Sequence, residues 1–72
     1  MKLFIMRTDI GSEDGVNAIR PYLNIHPYIS RWTIDLQDVD HVLKIEASNY
    51  MLERDLVDLV SGCGFYCEEL PD

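Results

Sequence analysis

Residues 30–37 (SRWTIDLQ) and 41–48 (HVLKIEAS) decide the fold of this 72-residue chain. Apolar and polar residues alternate in both stretches, which is the pattern of strands with one buried and one wet face. The side chains predicted to face inward are Trp32, Ile34, Leu36, Leu43, Ile45 and Ala47. Asp38, Val39 and Asp40 between the stretches favour a turn. The sequence therefore predicts a β-hairpin in the middle of the chain.

A helix is predicted on each side of this hairpin. Apolar residues recur three and four positions apart in both segments, which is typical of an amphipathic helix. The two stripes are Val16, Ile19 and Leu23 in the first helix, and Leu52, Leu56, Leu59 and Val60 in the second. Ser12 or Asp9 is the expected cap of the first helix and Asn49 that of the second. Gly62 and Gly64 are expected to end the second helix, since glycine accepts a left-handed backbone.

Pro21 lies within the first predicted helix. Proline removes one helical hydrogen bond and its ring crowds the carbonyl four residues earlier. We expect a kink near residues 17–19 or an irregular helix after Arg20.

Residues 3–6 (LFIM) and 65–70 (FYCEEL) complete the pattern as the first and last strands, with residues 71–72 as a frayed tail. The order strand–helix–strand–strand–helix–strand predicts an α+β, ferredoxin-like βαββαβ sandwich. Its four-stranded antiparallel sheet would have the order 4-1-3-2, with both helices on one face. A chain of this length is expected to form a single domain, residues 1–72.

Charge and composition narrow the class of partner. Thirteen acidic and six basic residues give a net charge of −7. Such a surface repels phosphate backbones and anionic headgroups, so we expect neither nucleic acid nor a membrane as partner. Residues 3–6 are too few for a signal-peptide core, which needs about 7–15 apolar residues. Two cysteines are most simply free thiols in a reducing compartment. The prediction is a cytoplasmic protein.

Catalytic motifs are missing from the sequence. It contains no Ser-His-Asp arrangement, no glycine-rich phosphate loop and no visible acid–base pair. We therefore predict a protein that is not an enzyme, has no catalytic residues and needs no cofactor. His26 and His41 are expected in loops at opposite ends of the second strand, both exposed and too far apart to share a metal ion.

Residues 56–65 (LVDLVSGCGF) resemble the end of the heavy-metal-associated domains, with Leu56, Val60 and the Gly64-Phe65 pair at the matching positions. Residues 26–29 (HPYI) resemble the family's turn before the second strand, and residues 32–36 (WTIDL) resemble that strand. The resemblance covers nearly the whole chain and implies the same ferredoxin-like fold.

The loop that binds metal in that family differs here. The family holds copper, zinc or related ions with a C-x-x-C pair between the first strand and the first helix. Val16 matches the first apolar residue of the family's first helix, and counting back from it without gaps places Asp9 and Ser12 at the two cysteine positions. No cysteine precedes Cys63. Soft Cu(I) requires sulfur ligands, whereas carboxylate and hydroxyl groups suit hard cations. The family's metal transfer is therefore not carried over, and no metal ion is expected.

Two hypotheses for the function follow. The first is a domain that binds a protein partner, or a second copy of itself, through the open face of the sheet. The side chains expected there are Phe4 and Met6, or Leu3 and Ile5, together with Val42 and Tyr66. A partly apolar face of that kind is typical of an interaction surface.

The alternative hypothesis is a metal carrier. In the family, the loop after the second helix lies beside the metal loop, so Cys63 could join oxygen ligands from Asp9, Ser12 and Glu13. Cys67 lies two residues after Phe65 in the last predicted strand, so both side chains face the same side. Cys67 is expected to be a buried, unreactive thiol.

Overall fold

The computed structural model describes residues 1–70, which form four strands and two helices. In chain order these are β1 (Lys2–Thr8), α1 (Glu13–Ile25), β2 (Ile29–Ile34), β3 (Leu43–Ala47), α2 (Glu53–Gly62) and β4 (Cys67–Glu69). The strands pair antiparallel in the order β2-β3-β1-β4. This is the predicted 4-1-3-2 order read from the opposite edge, so the predicted ferredoxin-like fold is confirmed. The predicted frayed tail, residues 71–72, lies outside the described residues.

The register between β1 and β3 decides which side chains enter the core. Phe4 lies opposite Ile45, and Met6 lies opposite Leu43. Met6, Leu43 and Ile45 are completely buried beneath the apolar stripes of the helices. The helix residues in this core are Val16, Ile19, Leu23, Leu56 and Val60, as the 3.6-residue period predicts.

The predicted inward-facing residues of the hairpin are confirmed, but those of β3 are more deeply buried than those of β2. Leu43, Ile45 and Ala47 of β3 are fully buried, because β3 is an inner strand. Trp32 and Ile34 of β2 are only partly buried and pack against the core from the edge. Neither helix in residues 1–70 has the length and apolar character needed to cross a membrane.

α1 continues through Pro21 to Ile25, so the irregular backbone expected after Arg20 is not observed. The proline is exposed, while Ile19 and Leu23 on either side of it are completely buried. Burial of these two side chains offsets the roughly 3 kcal/mol that an interior proline costs a helix. The predicted Ser12 cap is confirmed, since its Oγ accepts a hydrogen bond of 3.3 Å from the Gly15 N–H.

The start of α2 differs from the prediction. Asn49 does not cap the helix, which begins at Glu53 with Leu52 as its N-cap residue. A leucine side chain cannot accept a hydrogen bond, and instead Asp55 Oδ2 accepts one of 3.0 Å from the Leu52 N–H. The preceding turn places Met51 in the core and leaves Leu52 exposed, so Leu52 is not part of the buried stripe.

The strands at the hairpin are shorter than predicted. β2 ends at Ile34 instead of residue 37, and β3 begins at Leu43 instead of residue 41. Aspartate side chains bend the chain here: Asp35 Oδ1 accepts from the Gln37 N–H at 3.0 Å, and Asp38 Oδ1 accepts from the Asp40 N–H at 2.8 Å. Such local bonds replace ladder bonds, so the connection becomes a wide loop.

α2 ends in a Schellman motif. The Phe65 N–H donates to the Val60 carbonyl at 3.2 Å, and the Gly64 N–H donates to the Ser61 carbonyl at 2.9 Å. Gly64 has a φ of 91°, which an L-residue rarely adopts. The glycine therefore lets the chain turn from α2 toward β4.

Replacement of Gly64 by alanine is expected to lower the free energy of unfolding by about 1 kcal/mol, because a side chain disfavours this backbone conformation. Gly62→Ala is the matched control: this glycine is the last residue of α2, and a Cβ there would contact nothing within 4 Å. That change should raise stability by roughly 0.5–1 kcal/mol. Urea titrations followed by circular dichroism measure both, and an equal loss for the two variants would contradict this account.

Candidate functional site

The loop between β1 and α1, residues 9–12, corresponds to the metal loop implied by the family resemblance. Both of its candidate ligands already make hydrogen bonds within the protein. Asp9 Oδ1 accepts a 2.7 Å hydrogen bond from the Tyr66 N–H, and Ser12 Oγ caps α1. In this structure these oxygens stabilise the loop.

Ile10 anchors the same loop to the core. Its side chain is completely buried, and a Cβ added to Gly15 would lie 3.1 Å from the Ile10 methyl Cγ2 and 3.3 Å from the Phe65 ring. The loop, the start of α1 and the residues before β4 are therefore in close contact. This anchoring role of Ile10 was not predicted from the sequence, although a lone aliphatic residue in a polar loop is a signal for such an anchor.

The β2–β3 connection packs against this loop from the other side. Thr8 N–H donates to the Asp40 carbonyl at 3.1 Å, and Thr8 Oγ1 donates to the His41 carbonyl at 2.6 Å. The His41 ring covers Gly11, where a Cβ would lie 3.3 Å from Nε2.

The prediction that His41 is exposed is therefore wrong. The residue is half-buried, has a left-handed backbone with φ of 44°, and its Nδ1 is buried without a hydrogen-bond partner in the described part of the chain. His26 is also half-buried rather than exposed. It contacts Tyr28, with its Nδ1 accepting from the Tyr28 N–H at 3.1 Å. Loop hydrogen bonds and the packing of the ring on Gly11, rather than the local sequence, decide the burial of these histidines.

The two cysteines have different surroundings. Cys63 follows α2 as its C-cap residue, is half-buried and packs against the hydrophobic core. Cys67 is buried in β4, where burial and then the negative charges of Glu53 and Glu68 raise the pKa of its thiol to about 11. Both thiols are free. The predicted burial of Cys67 is confirmed, and its raised pKa makes it a poor nucleophile and ligand near pH 7.

The residues of the alternative metal cluster lie in neighbouring segments but do not form a preformed site. Asp9 contacts the Tyr66 backbone, which links the first loop to the residues after α2. Within residues 1–70, however, no three His, Cys, Asp or Glu side chains converge to hold a metal ion. A site using Asp9, Ser12, Glu13 and Cys63 would require these side chains to rearrange, and it stays a hypothesis.

The open face of the sheet is the side away from the helices. In β1 the side chains of the odd-numbered residues point to it. Leu3 has 61% of its surface exposed, and Ile5 lies beside Lys44 of β3. The option with Leu3 and Ile5 is therefore correct, and that with Phe4 and Met6 is wrong. Tyr66 is exposed as predicted, whereas Val42, the last residue before β3, is buried and adds little accessible surface to this face.

Ion pairs cross this face. Arg7 Nε lies 3.1 Å from Asp40 Oδ1, and its Nη1 lies 3.1 Å from Glu68 Oε1. The Tyr66 hydroxyl donates to Glu68 Oε2 at 2.5 Å, and this bond raises the pKa of Tyr66. Exposed ion pairs such as the two made by Arg7 contribute at most about 1 kcal/mol each, so they orient side chains more than they stabilise the fold.

Comparison with known proteins finds similarity in structure only. No family model and no curated protein matches the sequence. Among solved structures, a chain of the Atx1–Cu(I)–Ccc2a complex superposes with a TM-score of 0.84 at 20% identity, covering 100% of this chain and 99% of that one. The yeast copper transporter domain Ccc2a gives 0.83 at 20% identity with the same coverage.

A third structure, a copper-binding domain from the P-type ATPase HMA7, gives a TM-score of 0.83 at 15% identity over 99% of this chain and 96% of that one. At such identities the similarity establishes the fold. The chain therefore has the same fold as these copper-binding domains, which is the fold that the resemblance implied.

The raised pKa of Cys67 predicts a loss of stability in alkali. An unfolded thiol ionises near its ordinary pKa of 9.0 and the folded thiol near about 11. Between these values the unfolded state releases a proton that the folded state retains, so the free energy of unfolding should fall as the pH rises from 9 to 11. Urea titrations across this range measure the fall.

Cys67→Ala should remove this part of the pH dependence, while Cys63→Ala serves as the control and should retain it. A wild-type profile parallel to that of Cys67→Ala from pH 9 to 11 would contradict the assigned environment of Cys67.

Proposed function

We propose that this domain is a non-catalytic binding module that acts by docking a protein partner on the open face of its sheet. The observation that carries the proposal is the contrast between two regions. The ligand positions of the first loop, Asp9 and Ser12, make structural hydrogen bonds, whereas Leu3 and Ile5 present apolar surface beside charged residues. Two free thiols fit a reducing, cytoplasmic location.

The charges on the open face support protein docking. The strand register places Arg31, Lys44 and Arg7 on this face with Glu46 and Glu68. These charges nearly cancel, so most of the net charge of −7 lies elsewhere on the molecule. A nearly neutral face with an apolar centre can approach a partner without the repulsion that the remaining surface would produce.

The ligand chemistry argues against soft-metal transfer as the main function. A Cu(I) site requires two or more thiolates held close together. Among residues 1–70 the only cysteines are Cys63 and Cys67, and the thiol of Cys67 is buried in the sheet with a raised pKa. The similar solved structures include a complex of two proteins, Atx1 and Ccc2a, so a protein partner is compatible with this fold.

Leu3→Lys tests the proposed surface. The new charge faces Glu46 across the strands, so the fold should be retained while the apolar centre of the face is lost. Retention of the physiological partner should fall about tenfold or more, which corresponds to roughly 1.4 kcal/mol. Affinity capture followed by quantitative mass spectrometry measures this retention.

Ile25→Lys is the matched control, because Ile25 is 82% exposed at the end of α1, away from the open face. A specific partner should be retained by wild type and Ile25→Lys and lost by Leu3→Lys. Equal retention by both variants would remove the open face as the docking surface.

A second candidate function is a metal carrier, and the comparisons favour it. The similar structures bear names that specify copper binding or copper transport. In this chain Cys63 would supply the one thiol that is not buried, with Asp9, Ser12 and Glu13 supplying oxygen. Three oxygens and one thiolate suit Zn²⁺ better than Cu(I).

A thermal melt under reducing conditions tests the carrier hypothesis. Zn²⁺ that binds only the folded chain should raise the melting temperature as its concentration increases. Cys63→Ser should abolish the shift, and Cys67→Ser is the matched control that should retain it. Identical melting curves with and without Zn²⁺ and Cu(I) would exclude this candidate.

A further inference from the structure

β2 forms one edge of the sheet, since the strand order is β2-β3-β1-β4. The opposite edge strand, β4, has three residues, whereas β2 has six. A long edge strand presents backbone N–H and C=O groups that can pair with another strand. β2 is therefore the edge better suited to extend the sheet.

The hydrogen bonds to β3 determine which backbone groups point outward. The Asp35 N–H donates to the Val42 carbonyl at 2.9 Å, so Asp35 turns its backbone toward β3. In an antiparallel pair this direction alternates, and Arg31 and Thr33 face β3 as well. The backbone groups of Trp32 and Ile34 accordingly face the free edge.

We propose that a second copy of this chain pairs with the β2 edge, antiparallel, with Thr33 opposite Thr33. In this register Trp32 of each copy lies opposite Ile34 of the other. The outward-facing backbone groups of these two residues then meet each other in reciprocal hydrogen-bonded pairs. The two sheets would join into one sheet of eight strands around a two-fold axis, as symmetric dimers require.

Charge complementarity selects this partner and this register. With Thr33 on the axis, Arg31 of each copy lies opposite Asp35 of the other, which forms two ion pairs on the same face of the sheet. Both side chains are accessible in the single chain, since the Arg31 side chain is 77% exposed and Asp35 is exposed. Within the chain, Arg31 Nε lies 4.0 Å from Glu46 Oε2. Shifting the register by two residues in either direction separates Arg31 from Asp35 and places Trp32 opposite Trp32 or Ile34 opposite Ile34.

The helix side of β2 adds apolar contact to the same interface. Trp32 and Ile34 are only half-buried in the single chain. The indole is already held in position, because its Nε1–H donates to Asn24 Oδ1 at 2.8 Å and Arg20 lies 5.5 Å from the ring centroid. Pairing would cover both side chains without reorganising them.

This inference goes beyond the proposed function, because it concerns the β2 edge and not the open face. A single pair of short strands buries less than the roughly 1,200 Å² of a stable interface, so the dimer should be weak and depend on concentration. Both copies also carry a net charge of −7, which opposes association.

Reversing the charge of Arg31 or of Asp35 tests the proposed register. Analytical ultracentrifugation from about 10 μM to about 1 mM should show wild type passing from monomer to dimer. Arg31→Asp and Asp35→Arg should each raise the Kd about tenfold or more, because like charges then face each other at both ends of the pairing. An equimolar mixture of the two variants should recover the dimer, since every facing pair again has opposite charges.

Arg54→Asp on α2 is the control, because it changes the net charge as Arg31→Asp does but lies outside β2. Asp35 also accepts the Gln37 N–H, so circular dichroism must show that Asp35→Arg is folded. An independent measurement needs no variant: amide exchange at Trp32 and Ile34 should slow as the wild-type concentration rises.

Three results would overturn the inference: a monomer at every concentration, a dimer that neither charge variant weakens, or a mixture that does not associate. A dimer lost in Leu3→Lys but retained in Arg31→Asp would place the contact on the open face, contrary to this inference and in agreement with the proposed function.

Discussion

The antiparallel register of β1 against β3 is the constraint on which the rest of the structure depends. It places Met6 opposite Leu43 in the core and Leu3 opposite Glu46 on the open face. A shift of one residue would exchange the two sets of side chains. The single buried face of the sheet, the packing of both helices on it and the apolar centre of the opposite face all follow from this pairing.

Contacts within the protein hold the first loop, residues 9–12, in place. The loop is held by Ile10 in the core, by Asp9 on the Tyr66 backbone and by the contact of His41 with Gly11. Two of these interactions are packing contacts and the third is a hydrogen bond from a backbone N–H to an aspartate side chain, and none requires a metal ion. Function therefore has to be argued from the residues of the site rather than from the fold alone.

The distribution of charge connects the two proposed binding surfaces. A chain with seven excess negative charges repels copies of itself unless the contact region is locally neutral. The open face and the β2 edge both satisfy this condition, since arginine or lysine alternates there with carboxylates. The hairpin thus contributes in two ways: its side chains form part of the open face, and its outer strand forms the free edge.

The sequence by itself determined the order of the elements, the alternation of buried and exposed residues in the hairpin strands, and the burial of Cys67. These features depend on local periodicity and residue chemistry, which a linear pattern contains. Only the tertiary structure decided which side chains of residues 3–6 face the core, because all four residues are apolar and their sequence shows no alternation of apolar and polar residues. It also decided the choice of Met51 over Leu52 for the core, the end of β2 at Ile34 and the burial of His41 on Gly11. Each of these results depends on contacts between segments distant in the chain, or on side-chain hydrogen bonds that replace ladder bonds, and no local propensity specifies them.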